Sequence, residues 1–302
     1  MIVHIHADDM GATDHSTRQL LASWQRGFLT SFSVLANGTA CDQLADALAA
    51  TSHAARIACH LNLSEGPSSA PGQEVQLLVD EHGNLSHTFL SLIKAWLTNQ
   101  RGIAEQVETE WRAQIQAVQR CVRPRPVDAV DGHMHVHMLP FLFPIAAKLA
   151  SEYRVPSIRI SLEPFFFVHS KDLLTKFFAL NFIKHVILRM CSWRAVPVAR
   201  RHGLAWPKRM VGILYAGRMT MEAALAGITT ARRGDIEEVE VLFHLGRALK
   251  SERQRWARSD FIAEFYCSPH RDEEKAEAAK LANYLTGKDF PVAYRRRRPP
   301  QV

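Results

Sequence analysis

The chain contains no Cys-x-x-Cys pair and no internal repeat. Its five cysteines are odd in number and far apart along 302 residues, so neither a disulfide framework nor a thiolate zinc site is expected. Cysteine usage of this kind is typical of a reducing compartment, and we expect a cytoplasmic protein. The first residues lead directly into an apolar strand followed by acids, so no secretory signal is expected.

Acidic residues are fewer than basic residues. There are 30 Asp and Glu against 37 Lys and Arg, a formal net charge of +7. Part of this excess lies in the run Arg295-Arg296-Arg297-Arg298, which is typical of a solvated, disordered tail over residues 291–302. We therefore expect no nucleic-acid partner. With 47% hydrophobic and 22% charged residues, the rest has the composition of a soluble protein with a large core.

Apolar runs that predict strands alternate with segments of helical periodicity. This alternation predicts an α/β fold with a parallel sheet. Strands are predicted from residue 2 to the acids before Gly11 and at 32–35, 57–63, 127–130, 157–160, 238–244 and 261–266, and helices at 14–27, 42–50, 103–122 and 141–153. Residues 64–90 are predicted to form a loop.

Two adjacent carboxylates, Asp8 and Asp9, close the first predicted strand. Adjacent residues of an extended chain face opposite sides. The two carboxylates should therefore have different roles, with one binding a metal and the other accepting or donating a proton. Like charges this close also require a cation or a raised pKa at one of them. The alternative is an acidic turn that caps the next helix.

Histidines follow the ends of other predicted strands. Reactive residues of parallel α/β folds gather at the carboxyl ends of strands, which meet at one edge of the sheet. We therefore expect one site that collects these side chains. They are Asp8 and Asp9, His60, the cluster of His133, His135 and His137, and His244.

One carboxylate and two imidazoles, from Asp9, His60 and His133, would suit Zn²⁺ or another divalent first-row metal. An all-oxygen Mg²⁺ site is less natural with two histidines. Asp8 would then take a proton from water, and His244 would protonate the leaving group.

The segment His133-Met134-His135-Val136-His137 places its three imidazoles on one side if it is extended. One imidazole can then bind the metal while the others orient it or contact substrate. We expect His135 and His137 to take the supporting roles.

Three motifs in order resemble the YdjC-like carbohydrate deacetylases, the family that includes chitooligosaccharide deacetylase. They are His6-Ala7-Asp8-Asp9-Met10-Gly11, Ala58-Cys59-His60-Leu61-Asn62-Leu63-Ser64-Glu65-Gly66 and Asp131-Gly132-His133-Met134-His135-Val136-His137-Met138-Leu139-Pro140. His244-Leu245-Gly246 is similar to a His-Pro-Gly of the family, and Arg159 to an Arg on the strand after the histidine cluster.

The resemblance implies a distorted (βα) TIM-like barrel in a single domain over residues 1–290. It also implies metal-dependent removal of an acetyl group from an N-acetylated sugar. The family's catalytic acid/base corresponds to Asp8, and its metal ligands correspond to Asp9, His60 and His133. We expect one divalent ion, zinc or magnesium, and an N-acetylated sugar of a glycan or glycolipid as substrate.

Several positions depart from the family pattern. His6 replaces the usual Asn, Met10 replaces Phe, and Leu245 replaces Pro. An imidazole at position 6 is expected to alter the surroundings of the metal or to compete for it, so His6 joins His135, His137 and Arg159 as a residue that supports the site or binds substrate.

Residues 161–235 show little family pattern and predict a variable helical insertion. Apolar side chains there alternate with lysines and arginines too frequently for a membrane span. The stretch 161–195 could contact a membrane peripherally, and this would suit lipid-linked sugars. The alternative is an insertion that packs on the barrel and covers the cleft. The sequence is also compatible with a homodimer.

Two other functions remain open. The same ligand set would allow hydrolysis of a different amide or of a phosphoester, and the fold could also serve as a non-catalytic sugar-binding protein. Paired acids beside histidines favour the enzyme, because a scaffold has no use for them.

Overall fold

The computed structural model describes residues 1–50, 53–168, 176–234, 236–252 and 260–287. The strands are β1 Ile2–Met10, β2 Ser31–Val34, β3 Arg56–Leu61, β4 Ala129–Gly132, β5 Arg209–Val211 and β6 Glu238–Phe243. The α-helices are α1 Asp14–Gln25, α2 Asp42–Ala49, α3 Phe89–Thr98, α4 Gln100–Cys121, α5 Phe143–Glu152, α6 Lys176–Arg201, α7 Met221–Arg232, α8 Asp260–Cys267 and α9 His270–Gly287.

The strands form one six-stranded sheet in the order β4-β3-β2-β1-β6-β5. Every neighbouring pair is parallel, so the α/β class predicted from the alternation is confirmed. All residues of β2, β3, β4 and β6 are buried, as expected for a parallel sheet covered on both faces. The carboxyl ends of the strands therefore lie at one edge.

The sheet is curled but its ladder is not closed. Residues 157–162 run between the edge strands, where Arg159 N donates to Val130 O at 2.8 Å and Met210 N donates to Leu162 O at 3.1 Å. The strand predicted at 157–160 is therefore reduced to isolated bridges. The α/β part of the predicted fold is confirmed, with an open sheet in place of a complete barrel.

Three elements differ from the sequence prediction. Helix α3 begins at the end of the predicted loop, and β5 lies within the region expected to be a helical insertion, so that region also contributes a strand to the sheet. The predicted strand 261–266 is wrong, because this segment belongs to helix α8. A short apolar run fits a buried strand and a buried helix equally well.

Helix α4 illustrates how the helices cover the sheet. Its buried side chains recur every three or four residues, which places them on one face of an α-helix. They are Ile103, Val107, Trp111, Ile115 and Val118. Each side chain of this size stabilises the fold by about 1.5–3 kcal/mol on burial.

Two cysteines that are distant in sequence form a disulfide, Cys41–Cys121. The sequence suggested no disulfide framework, and for this pair that expectation is wrong. Cys41 lies just before α2 and Cys121 ends α4, and the packing of these helices brings their Cα atoms to 6.0 Å across a separation of 80 residues. This spacing is ordinary for a disulfide.

None of the helices in the described ranges is long and apolar enough to cross a membrane. The basic tail predicted at 291–302 lies outside the described residues.

Candidate metal centre and active site

The strand ends converge on one pocket of about 290 Å³. Asp8 and Asp9 from β1, His60 from β3 and His244 after β6 line it. Of the three histidines that follow β4, His133 and His135 line the pocket, whereas His137 is not among the lining residues. These are the strand ends that the sequence predicted to meet. The lining residues are Asp8, Asp9, His60, His133, Met134, His135, Leu180, Asn181, Lys184, Ala216, His244, Phe265 and Tyr266.

Strand β1 presents both of its carboxylates to this pocket by means of a bulge. Its register with β2 pairs Ala7 with Phe32 but Met10 with Val34, so β1 holds one extra residue. Asp9 takes a left-handed backbone conformation with φ of 68°, which is uncommon outside glycine and is characteristic of functional sites. The expectation that neighbours must face opposite sides fails here because the strand is locally not extended.

Asp9, His60 and His133 are arranged to hold a cation. Their potential ligand atoms all lie within 4.8 Å of one another. His133 Nδ1 is 3.1 Å from Asp9 Oδ1, and His60 Nε2 is 3.7 Å from the same oxygen. The His60 Nε2 atom is buried and makes no hydrogen bond within the described part of the chain. An unbonded imidazole nitrogen facing a carboxylate fits a bound divalent ion.

Asp131, which was absent from the predicted site residues, holds the other nitrogen of His60. Asp131 Oδ1 lies 2.7 Å from His60 Nδ1, so Nε2 is the nitrogen that faces the pocket. Burial would raise the pKa of Asp131, but the charges of Arg159 and His60 lower it to about 2. A sequence signal existed, because Asp131 begins the motif that contains His133, and the parallel register of β3 and β4 pairs it directly with His60.

The Asp131→Asn substitution should weaken metal binding roughly 10- to 100-fold, the usual effect of removing the partner of a ligating histidine. The amide keeps the shape of the side chain but lacks the charge that favours the correct tautomer. Titration with Zn²⁺ by calorimetry measures this directly. An unchanged affinity would show that Asp131 does not orient His60.

Asp8 is held from beneath the pocket by Arg159 and His6. Arg159 Nη2 donates to Asp8 Oδ1 at 3.0 Å, Nη1 donates to Oδ2 at 3.3 Å, and His6 Nε2 lies 3.1 Å from Oδ1. Burial opposes ionisation, but Arg159, His60 and His6 together hold the pKa of Asp8 well below its usual range. Asp8 is therefore a carboxylate at neutral pH.

Arg159 and His6 lie in the protein interior, beneath the pocket. Each is only 2% exposed, and they reach the pocket through Asp8. Arg159 also donates to Glu240 at 2.6 Å and lies 2.9 Å from Asp131. His6, Asp8 and Asp131 form a second acidic cluster, but the Arg159 guanidinium already supplies its positive charge. Among the described residues, Asp9, His60 and His133 therefore remain the candidate cation site of this pocket.

The three clustered histidines do not share a face. The segment His133–Met138 is a 3-10 helix interrupted by positive φ at Met134 and His135, so the prediction based on an extended segment is wrong. His133 faces Asp9, whereas His135 Nδ1 contacts Ser161 Oγ at 2.8 Å and His137 Nε2 donates to Arg159 O at 3.0 Å. Burial lowers the pKa of His137 to about 4.

His244 follows β6 and lines the pocket, as predicted. Its Nδ1 makes no hydrogen bond among the described residues and lies 3.9 Å from Glu274 Oε2. Burial lowers the pKa of His244 to about 4, and burial raises the pKa of Glu274 to about 7. His244 is therefore neutral at neutral pH, beside a carboxyl group that can hold a proton.

Helices α8 and α9 add residues that no sequence motif signalled. Arg271 Nη2 donates to Asp9 Oδ2 at 3.1 Å, and its guanidinium lies over the rings of Phe265 and Tyr266 at 4.7 and 4.5 Å. The Tyr266 hydroxyl is 3.4 Å from His133 Nε2. Two members of the triad, Asp9 and His133, are thus contacted by side chains from the C-terminal helices α8 and α9.

Lys184 of α6 brings a cation to the opposite wall of the pocket. Burial lowers its pKa to about 8, against the attraction of Asp8 and Glu163. The sequence marked this lysine only as part of the apolar, basic region 161–235.

The Lys184→Met substitution should stabilise the fold at pH 7 by about 1–3 kcal/mol. The lowered pKa means that the folded state bears a cost for holding the ammonium charged. This cost applies fully below pH 8 and disappears as the pH rises past 10.5, the ordinary lysine pKa. Thermal melts at pH 7 and pH 10 measure the difference, with the exposed Lys94→Met as control. A gain that is equal at both pH values would contradict the assignment.

Comparisons with known proteins show what the chain as a whole is similar to. A family model described as YdjC-like protein matches residues 2–295. Relatives named carbohydrate deacetylase include the Danio rerio protein, 26% identical over 220 residues that cover 71% of this chain and 65% of that protein. The Mus musculus protein is 27% identical with coverages of 75% and 71%, and a Listeria monocytogenes protein is 30% identical with coverages of 59% and 70%. The matches thus span about two thirds of the length of these relatives.

The fold also has a solved counterpart. A crystal structure from Enterococcus faecalis, of a protein proposed to cleave cellobiose phosphate, superposes with a TM-score of 0.63. The match covers 92% of this chain and 94% of that chain at 20% identity, which supports the fold alone. Because the family model covers nearly the whole length, the chain belongs to the YdjC-like protein family.

Proposed function

We propose that this protein is a metal-dependent hydrolase that removes the acetyl group from an N-acetylated amino sugar of a glycan or glycolipid. The observation that carries the proposal is the pairing of a cation triad with a second, separately held carboxylate in one pocket. The names of the relatives, carbohydrate deacetylases, favour this reaction over other hydrolyses. On this proposal the curled sheet is a distorted (βα) barrel with its site at the carboxyl ends of the strands.

Asp9, His60 and His133 are the residues that would hold the metal. Their donor set suits zinc or a similar first-row ion better than magnesium. A divalent ion bound there supplies Lewis-acid activation of water and of the acetamide carbonyl. Asp131 and Arg271 keep His60 and Asp9 in place for that ion.

Asp8 is the proposed proton acceptor. It lies at the same strand end as Asp9, and His60 Nε2 is 3.9 Å from its Oδ2, so a water activated in the pocket is within reach of this carboxylate. Arg159 fixes the plane of the Asp8 carboxylate through its two donated hydrogen bonds. A proton acceptor must be ionised and oriented before the reaction begins, and both conditions hold for Asp8.

His244 is the proposed proton donor to the leaving nitrogen. As a neutral imidazole it must first gain a proton, and Glu274 lies 3.9 Å from its Nδ1 with a pKa of about 7. The pair can therefore carry one proton between them near neutral pH. The oxygen of the water forms a new bond to the acetyl carbon as Asp8 takes one of its protons, and the amide C–N bond breaks as the proton from His244 reaches the nitrogen. The products are acetate and the free amino sugar.

The test is an assay of acetate release from N-acetylated oligosaccharides and glycolipids, with defined added metals. Acetate release that requires an added divalent ion and is lost after chelation is the expected result. Phosphate release from phosphoesters without any acetate would overturn the proposal in favour of another metal-dependent hydrolysis. Sugar binding that persists without metal and without turnover would instead indicate a binding protein.

A further inference from the structure

Helix α6 exposes an apolar face to solvent. Nine of the fifteen large hydrophobic side chains that are exposed among the described residues lie between Phe165 and Trp193. On α6 they recur at helical spacing, so they form one continuous stripe. The nine are Phe165, Phe167, Leu180, Phe182, Ile183, Val186, Ile187, Met190 and Trp193. We call the seven on the helix, from Leu180 to Trp193, the α6 stripe.

The charged side chains of helix α6 itself are all basic. Helix α6 contains lysines and arginines but no aspartate or glutamate. Among the described residues, the hydrogen bonds of Arg189 and Arg209 beside the stripe go to backbone carbonyls, at 3.4 Å to Glu163 O and at 2.7 Å to Lys208 O. Burial and the nearby charge of Arg189 lower the pKa of Arg209, as expected for two cations that lie close together. This surface is complementary to an anionic partner.

A groove of about 630 Å³ runs along the same face. Apolar side chains of α6 form one wall, with Phe165 beside them, and the two arginines lie at its side. The groove thus combines an apolar wall with positive charge. A lipid would place its acyl chain against the apolar wall and its anionic headgroup at the arginines.

The α6 stripe reaches the mouth of the candidate active site. Leu180 is 59% exposed and is also a lining residue of the catalytic pocket. Asn181 and Lys184, which follow it, line that pocket as well. One helix therefore presents its outer face to solvent and its inner face to the reacting centre.

A lipid surface explains this face better than a second copy of the chain. In a symmetric dimer the same patch meets itself, so the cations of α6 would face one another across the axis. Like charges brought together in this way cost affinity. An anionic bilayer instead satisfies the apolar stripe and the positive charge together, and the 66% exposed Trp193 is a residue type enriched at membrane interfaces.

We infer that the α6 stripe docks on the surface of an anionic lipid bilayer and that the adjoining pocket acts on a sugar carried by a membrane lipid. The docking follows from the exposed face alone, whereas the lipid-carried substrate rests on the proposed deacetylase function. Helix α6 would lie in the plane of the interface, with its stripe among the acyl chains and its arginines at the headgroups.

The test is flotation of the full chain with vesicles of phosphatidylcholine alone and of phosphatidylcholine with 30 mol% phosphatidylglycerol. We expect binding to the anionic vesicles that weakens with added salt. The double substitution Ile183→Glu and Trp193→Glu should weaken binding at least tenfold. The matched control is Leu97→Glu on α3, which is 73% exposed and should bind as the unmodified chain does.

Two further measurements distinguish a loss of membrane binding from a loss of folding. The Arg189→Gln and Arg209→Gln substitutions should each weaken binding to anionic vesicles about fivefold. Brominated lipids should quench the fluorescence of the unmodified chain, and Trp193→Phe should remove much of that quenching.

The outcomes separate docking from catalysis. Docking is supported if Ile183→Glu/Trp193→Glu keeps acetate release from a soluble N-acetylated oligosaccharide but loses it from the same sugar on a vesicle-bound lipid. Absence of vesicle binding with retained turnover of soluble sugars overturns the docking and leaves the proposed function standing. A dimer that Ile183→Glu dissociates, without vesicle binding, also overturns it. Vesicle binding without acetate from any substrate supports the docking and overturns the deacetylase proposal.

Discussion

The Asp9→Ala substitution is expected to remove the bound divalent ion and to reduce acetate release by roughly a thousandfold or more. Asp9 provides the only carboxylate of the triad, and its Oδ1 atom lies between the two imidazoles, 3.1 Å from His133 and 3.7 Å from His60. Two neutral imidazoles without this charge form a much weaker cation site. Metal content after dialysis and the rate of acetate release measure both effects.

A loss of folding must be separated from a loss of metal, because Asp9 also accepts from the buried Arg271. Removing one partner of a buried pair can cost about 3–5 kcal/mol. Asp9→Asn keeps the shape and one oxygen, so it serves as the second variant, and Asp46→Ala on the surface of α2 is the control. Zn²⁺ should raise the melting temperature of the unmodified chain and of Asp46→Ala but not of Asp9→Asn. Full metal occupancy in Asp9→Ala would exclude the proposed ligand set.

The Asp8→Asn substitution is expected to keep the metal and to lower acetate release by about 10²- to 10⁴-fold, the usual contribution of a positioned general base. The amide has nearly the same shape as the carboxylate but cannot accept the proton. Arg159 keeps two other acidic partners, Asp131 and Glu240, so the region below the pocket should stay folded. Turnover numbers and metal content, measured on the same preparation, show whether the two effects separate.

The contrast with Asp131→Asn sharpens this prediction. Asp131→Asn should weaken metal affinity and regain activity when metal is added in excess, whereas Asp8→Asn should stay slow at any metal concentration. If Asp8→Asn retains more than a tenth of the activity, Asp8 is not the proton acceptor.

The strand ends of the site could be predicted because parallel strands meet at one edge whatever their side chains. Asp8, Asp9, His60 and His133 were located in this way. The backbone details were not predictable, since the β1 bulge depends on register with β2, and the 3-10 turn after β4 depends on positive φ at Met134 and His135. Neither feature has a periodicity that a sequence pattern can reveal.

Long-range partners were missed for a different reason. Arg271 reaches Asp9 across more than 250 residues of chain, and Cys41 pairs with Cys121 only because α2 and α4 pack together. Such contacts are products of tertiary packing, and local spacing carries no information about them. Lys184 was hidden in the same way, because a lysine in an apolar, basic helix predicts solvent contact until the pocket beside it is known.

The bulge in β1 has a consequence for how this site can change. The offset between the two carboxylates is set by one inserted backbone residue of β1, which lies between the positions paired with Phe32 and Val34 of β2. Deleting one residue there would return β1 to simple alternation and turn one carboxylate away from the pocket. The proposed roles of metal holding and proton transfer are therefore joined through the main chain, so side-chain substitutions alone can abolish either role but cannot exchange the two.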